Sequence, residues 1–185
     1  MLQLLFKSLE TFHLSAFFRQ AISTFLNSEP RTQHYQIETC IAPDIEKEIL
    51  HGDPGRLSRA INNLLYNSIR HTPEGTILTL SMTNQSDLYR FSVSDNGKGI
   101  SPSFLQKLQP LAQGDLPDLL PGQEHSLGLS IVCQIVRMHK GQISFHNLQP
   151  HGFSTEILLP EEYFCLFDPT SHPTWMRAFS VPVYI

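Results

Sequence analysis

Apolar positions along this chain change their period several times, and each change marks an element. From Arg56 to Thr72, the residues Leu57, Ile61, Leu64, Leu65 and Ser68 recur at helical spacing and form one stripe. That predicts a long helix over about 55–71, entered through the turn "GDPGRL". Ser15 can cap an earlier helix running to about Leu26, with Phe18, Ile22, Phe25 and Leu26 inward. Leu2, Leu5, Phe6 and Leu9 share helical spacing and predict the end of a helix over 2–10. Between the two latter stretches and the long helix, "NSEPRTQ" reads as a loop. Alternation predicts strands over 35–41, 76–83 and 88–94, the last two forming a hairpin. Ser101 as N-cap and Pro102 at the first helical position open a short helix. A further helix spans 127–140 and stops at Gly141, and "QISFHNL" and "STEILLP" are two more strands. Helices alternating with strands joined mostly by hairpins predict an α/β two-layer sandwich. Its sheet is mixed, mostly antiparallel, with helices on one face.

Composition narrows the class. At 185 residues the chain is long enough for one domain with a proper core. With 41% hydrophobic and 16% charged residues it is globular rather than disordered. A net charge of -4 without any Lys/Arg cluster argues against a nucleic-acid partner. Cys40, Cys133 and Cys165 lie far apart with no Cys-x-x-Cys pair, which fits free thiols in a reducing, cytoplasmic setting. No apolar run approaches the ~20 residues of a membrane helix, so no membrane contact is expected of this stretch. The N-terminus, interrupted by Lys7 and Glu10, does not read as a signal peptide. Residues 109–126 are rich in Pro, Gly, Gln and Asp and show little pattern.

Three stretches carry candidate chemistry. On the long helix, Asn63, Asn67, Arg70 and His71 form a second, polar stripe. Asparagine is a mediocre helix former, so two of them one turn apart invite a reason. A carboxamide oxygen can ligate a hard cation such as Mg²⁺, and Arg70 can meet phosphate; a solvated polar face explains the pair equally. In "SDNGKGIS" (94–101) a strand ends in Asp95 and turns through Gly97 and Gly99. Such a turn brings bare backbone close to a flat ligand, and the carboxylate can accept from an exocyclic amine; an ordinary turn has the same chemistry. In "HSLGLSIVCQIV" a glycine near a helix start leaves N–H groups for phosphate, a weak signal alone.

Taken together and in this order, "NNLLYNSIRHTPEGT", "SVSDNGKGIS", "SLGLSIVCQIVRMHKGQISF" and "GFSTEILLP" resemble the catalytic, ATP-binding domain of bacterial sensor histidine kinases. That domain belongs to a superfamily shared with DNA gyrase and the heat-shock chaperone ATPases. The resemblance covers 12–160 and implies a Bergerat-type fold with ATP and Mg²⁺ as ligands. It implies Mg²⁺ ligation by Asn67, with Asn63 one turn earlier near the phosphates. Arg70 holds the place of a phosphate-contacting base, and His71 that of a residue beside the nucleotide. Asp95 would read the adenine amine, while Gly97 and Gly99 let the chain pass under the base and Ile100 lines the pocket. Gly128 and Leu129 match the retained half of the second glycine box. Asn63, Asn67 and Arg70 are the residues this reading assigns to catalysis.

The chain departs from that family in two respects. Glu124 and Ser126 stand where glycines usually wrap the phosphates, and Glu124 adds negative charge there. None of the nine histidines is followed by the acid of a phosphoacceptor box. Residues 1–11 therefore read as the end of an upstream helix, 12–160 as the ATP-binding domain, and 161–185 as an extension without a family counterpart. The implied partners are a dimerisation and phosphoacceptor domain of the same kinase and a response regulator. The chain is expected to be a fragment of a longer kinase, the cytoplasmic part of a membrane-anchored sensor. The alternative is a degenerate nucleotide-binding or regulatory module. An ATP hydrolase or serine kinase fits less well, because Asn63 stands where a hydrolase wants a carboxylate base.

Overall fold

The computed structural model describes residues 9–113 and 124–161. In chain order these form β1 (Glu10–His13), α1 (Leu14–Ser28), β2 (Gln36–Ile41), β3 (Ile49–Gly52) and α2 (Pro54–His71). There follow β4 (Ile77–Gln85), β5 (Leu88–Asp95), α3 (Pro102–Gln113), α4 (Glu124–Met138), β6 (Gln142–Asn147) and β7 (Phe153–Pro160). Five strands make one sheet in the order β2-β4-β5-β7-β6, while β1 and β3 pair separately. β2 runs parallel to β4, because a helix crosses between them, and every other neighbour is antiparallel. The mixed two-layer architecture expected from the pattern is the one observed.

Alternation along the strands sorts the two faces of the sheet. Leu78, Leu80, Met82, Tyr89, Phe91, Val93, Phe145 and Ile157 are buried on the helix side. Phe18 and Phe25 of α1, Leu57, Ile61, Leu64 and Leu65 of α2, and Val132 and Val136 of α4 close the core from the other layer. Phe18 meets Phe91 edge to face, with centroids 4.9 Å apart. The far face is polar: the Ser81 and Ser92 hydroxyls lie 2.7 Å apart, and Arg90 and His146 both pair with Glu156.

The structure corrects several local expectations. Glu10 and Thr11 are strand, not the end of a helix, because Glu10–His13 pairs with Ile49–Gly52. Phe12 then packs on Phe17, with ring centroids 4.9 Å apart. Residues 1–8, the rest of the expected upstream helix, lie outside the described residues, as do 162–185 of the C-terminal extension. Ser15 is not the cap of α1: the helix starts at Leu14, and Ser15 is buried in its first turn. The stretch 27–33 is not simply a loop, since Pro30–His34 forms a 3₁₀ turn with the Glu29 side chain accepting from Arg31 N–H. α3 extends to Gln113 with Pro110 inside it, and α4 starts at Glu124, three residues earlier than its apolar pattern. The expected stop holds: Lys140 takes a positive φ, and Gly141 N–H donates to the Val136 carbonyl at 2.9 Å.

One buried polar link joins the two central helices. Asp53 caps α2, its side chain accepting from Arg56 N–H at 2.9 Å. The Asp53 N–H in turn donates to His139 Nε2 at 3.0 Å. His139 Nδ1 lies 2.8 Å from the Ile135 carbonyl, so the neutral tautomer with hydrogen on Nδ1 satisfies both contacts. Burial, the largest influence, holds this imidazole below its ordinary value of 6.5; the Ile135 carbonyl and Asp53 oppose that, and Arg56 adds to it. A base whose folded pKa is depressed contributes stability above its unfolded value, lost as pH falls through the folded one. Unfolding free energy should therefore decline as pH drops below about 6.5. His139→Asn should cost about 1–3 kcal/mol at pH 8 and flatten that decline, measured by urea denaturation between pH 8 and 5.

Candidate functional site

Four strands meet in one row at this end of the sheet and define the site. Leu78 of β4, Asp95 of β5, Phe153 of β7 and Asn147 of β6 lie on one row across the sheet. Asp95 is two residues beyond the buried Val93, so alternation turns its carboxylate toward the helix layer. It is only 7% exposed. Gly97 N–H donates to Oδ1 at 2.9 Å, and the Phe153 N–H also donates to the carboxylate. Burial raises the carboxyl's pKa above its ordinary 3.8, and those two N–H groups oppose the shift.

The loop after β5 needs its glycines for different reasons. A Cβ on Gly97 would lie 2.9 Å from Asp95 Oδ1, against the acceptor that its own N–H serves. Gly99 sits at φ +71, and a Cβ there would lie 2.8 Å from Asn147 Oδ1 and 2.9 Å from the Gly152 carbonyl. The chain therefore passes close to Asp95 and turns back under it.

Between this loop, the C-terminal half of α2, α3 and the start of α4 lies a cavity of about 510 Å³. Of the residues singled out in the sequence, Asn67, His71, Asp95, Gly99, Ile100 and Leu129 line it. Gly97 lies behind its wall, through the bond to Asp95. Asn63 and Gly128 sit at one end: a Cβ on Gly128 would lie 3.3 Å from Asn63 Oδ1 and 3.5 Å from Asn67 Oδ1. Arg70 is exposed and does not line the cavity. Helical rotation turns it about 60° from Asn67 and about 100° from His71, toward solvent.

Further lining residues were given no site role in the sequence. Val93, Phe153 and Thr155 face the cavity from the strands, and Phe104 and Leu108 from α3. Period-two counting from Asp95 would have found Val93. Phe153 and Thr155 depend on which strand lies beside β5, and that is a long-range fact. Where glycines were expected, Glu124 opens α4 and Ser126 falls in its first turn. The side chains of 124–127 lie outside the described set.

The amide of Asn67 bears on metal binding. Its Nδ2 is buried with no hydrogen-bond partner. Asn63 differs, since its Nδ2 donates to the Arg59 carbonyl at 2.8 Å on its own helix. A half-turn of the Asn67 carboxamide exchanges oxygen and nitrogen, so the group can present oxygen to a hard cation. Among the described residues no cluster of three or more His, Cys, Asp or Glu is placed to hold a metal. A cation held by one amide oxygen, with waters and a ligand's phosphates as the remaining donors, fits such a site.

Comparison with known proteins assigns the family. Residues 52–163 match the model of the histidine kinase-, DNA gyrase B- and HSP90-like ATPases. The chain belongs to this family. The matched segment contains α2, the Asp95 loop and α4, the elements around the cavity. Sporulation kinase B of Bacillus subtilis is 29% identical over 83% of this chain and 34% of its own length. The adaptive-response sensory kinase SasA of Microcystis aeruginosa is 31% identical over 81% of this chain and 40% of its own. The chain thus spans well under half of these two relatives. The catalytic domain of histidine kinase ThkA shares the fold at a TM-score of 0.67, with 21% identity, covering 83% of this chain and 95% of that one. ATP binding is the property this family membership carries.

Gly99→Ala tests the construction of the loop. It places Cβ at a strained φ and against two oxygens, so the loop must shift or the fold must weaken. Stability should fall by about 1–3 kcal/mol in chemical denaturation, whereas Gly75→Ala, with a positive φ but open space around it, should lose less.

Proposed function

We propose that this chain is the nucleotide-binding catalytic domain of a sensor histidine kinase. It would bind ATP with Mg²⁺ and present the γ-phosphoryl group to a histidine on a separate dimerisation and phosphoacceptor domain. A response regulator would then receive the phosphoryl group. The observation that carries this reading is a buried carboxylate, Asp95, at the wall of a cavity otherwise lined mostly by apolar side chains and small polar ones. A buried carboxylate is costly unless its hydrogen-bonding capacity is met, and two backbone N–H groups leave part of that of Asp95 open. The adenine N6 amine is a donor of the right kind, and Val93, Ile100, Leu108 and Phe153 offer a flat base apolar surroundings.

The residues then take distinct roles. Asp95 orients the base, with Ile100 and Phe153 against its faces. Asn63 and Asn67, one turn apart on α2, stand toward the phosphates, and Asn67 offers the cation its amide oxygen. Mg²⁺ bound there would offset the charge of the triphosphate. Arg70 would meet phosphate from the solvent side of α2. His71 stands beside the nucleotide. Phosphoryl transfer depends mainly on positioning and charge stabilisation, so no residue of this chain needs to be a covalent nucleophile.

Among the described residues no helix is long and apolar enough to cross a membrane. A cytoplasmic catalytic part of a membrane-anchored sensor is the setting this reading favours. On the same basis we propose an ATP-binding domain that begins with β1 at Glu10 and runs to Pro160, followed by a C-terminal extension.

Two variants test the reading at opposite ends of the cavity. Asp95→Asn removes a charge-assisted hydrogen bond to the base and should weaken ADP by more than tenfold, about 1.5–3 kcal/mol, in calorimetric titration. Because the folded carboxyl titrates above its ordinary value, its charge costs stability at neutral pH. The variant should therefore melt no lower than the parent at pH 7. Unchanged ADP affinity would overturn the base-reading role, and a parent that binds no ADP would favour the regulatory-module reading.

Asn67→Ala should erase the Mg²⁺-dependent part of ATP binding and phosphotransfer to an added acceptor domain, and leave adenosine binding unaltered. Phosphotransfer at the parent rate would assign the cation to another group.

A further inference from the structure

We propose that Asn147 is a positioning residue for nucleotide binding, holding the Gly97–Ser101 loop in the shape that receives the base. This rests on the nucleotide-site reading above and goes beyond it, because Asn147 does not line the cavity. Its carboxamide grips one residue, Ile100, by both of its backbone groups. Ile100 N–H donates to Asn147 Oδ1 at 2.9 Å, and Asn147 Nδ2 donates to the Ile100 carbonyl at 2.8 Å. A single side chain thereby satisfies both backbone groups of Ile100, much as a strand neighbour would.

The loop has few other anchors. Its first half is tied to the sheet: Asn96 N–H donates to the Ile77 carbonyl at 3.2 Å, and Asn96 Oδ1 accepts from Ile77 N–H at 2.9 Å. Gly97 N–H is held by Asp95. Beyond Gly97 the loop turns away from β4, and Asn147 supplies the next hold. The lining residues Gly99, Ile100 and Ser101 lie at or beside that contact.

Asn147 is fixed from behind. It closes β6 opposite Phe153, which itself pairs with Asp95. Leu148 N–H donates to the Gly152 carbonyl at 2.9 Å and fixes the hairpin end. Asp95, Phe153 and Ile100 are thus set relative to one another by a single row of the sheet plus one side chain. The space a Gly99 Cβ would need is filled by Asn147 Oδ1, 2.8 Å from that point, so the glycine and the asparagine form a matched pair.

Both atoms of the amide are needed. Asp keeps an acceptor for Ile100 N–H but sets a carboxylate oxygen against the Ile100 carbonyl. Ala keeps neither bond. Asn147→Ala and Asn147→Asp should each weaken ADP about tenfold in calorimetric titration, Ala by losing two neutral hydrogen bonds and Asp by losing one and gaining a repulsion. Adenosine should weaken by the same factor, because the damage lies at the base end. Amide hydrogen exchange should quicken over 97–101 without a matching change in α2 or β4, and the thermal midpoint should stay within a few degrees of the parent.

Parental ADP affinity in either folded variant overturns the proposal, as does a lowered thermal midpoint with unchanged affinity in the folded fraction. If neither variant folds, Asn147 is a structural residue and the positioning role is lost. A parent that fails to bind ADP sinks the nucleotide-site reading instead, while the exchange measurement still decides whether Asn147 holds the loop.

Discussion

A carboxylate buried at the end of a central strand is the constraint around which this structure is arranged. Alternation along β5 leaves Asp95 facing the helix layer, where a negative charge loses most of its hydration. The N–H groups of Gly97 and Phe153 offset part of that loss, and the raised pKa shows that they do not offset all of it. Each of those donors imposes a further condition. Gly97 must come so close that no Cβ fits between it and the carboxylate. Phe153 must lie beside β5, and this requires β7 to enter the sheet between β5 and β6. The strand order and the glycine loop are thus two consequences of keeping one charge in place, and an unsatisfied remainder is what a ligand's donor can use.

The helix layer answers a different demand, the close approach of α4 to α2. Gly128 lets α4 come against the amides of Asn63 and Asn67, since even a methyl group would crowd Asn63 Oδ1 at 3.3 Å. At the far end of the same pair of helices, His139 receives the N–H of the Asp53 cap. One contact sits near the cavity and the other in the core, so the angle between the helices is fixed at both ends. The polar amides therefore lie on a rigid face, which a site that orients charge needs.

Much of this was legible in the sequence, for reasons that depend on range. The α2 stripe, the hairpin of β4 and β5 and the Asp95 turn are local patterns, and local patterns survive in a single chain. The family resemblance tied them into one site, and Asn67, His71, Asp95, Gly99, Ile100 and Leu129 do face one cavity. Arg70 shows the limit of stripe counting, because a shared stripe is wider than the wall of a cavity. β1 and β3 escaped because four-residue strands carry too little period to read, and their pairing spans some forty positions. Asn147 escaped for the same reason: its partner Ile100 lies 47 residues away, and nothing within either stretch announces the contact.

The two ends of the cavity are built from different material, and this bears on the missing glycines. The base end consists of strand rows and the loop they hold. The other end consists of helix faces: Asn63 and Asn67 from α2, and Gly128 and Leu129 from α4. A glycine-rich loop can wrap phosphates because its residues reach positive φ. In this chain α4 already begins at Glu124, and a helix has no use for that freedom. What a first helical turn supplies instead is a set of N–H groups without intrahelical acceptors and the positive end of a dipole. That is an anion site of fixed direction rather than an adaptable cradle. On the proposed reading, Glu and Ser in place of two glycines would leave the base end untouched and change how the phosphates are met. On that reading adenine recognition and phosphate closure would be separable, the first set by the sheet and the second by where α4 begins.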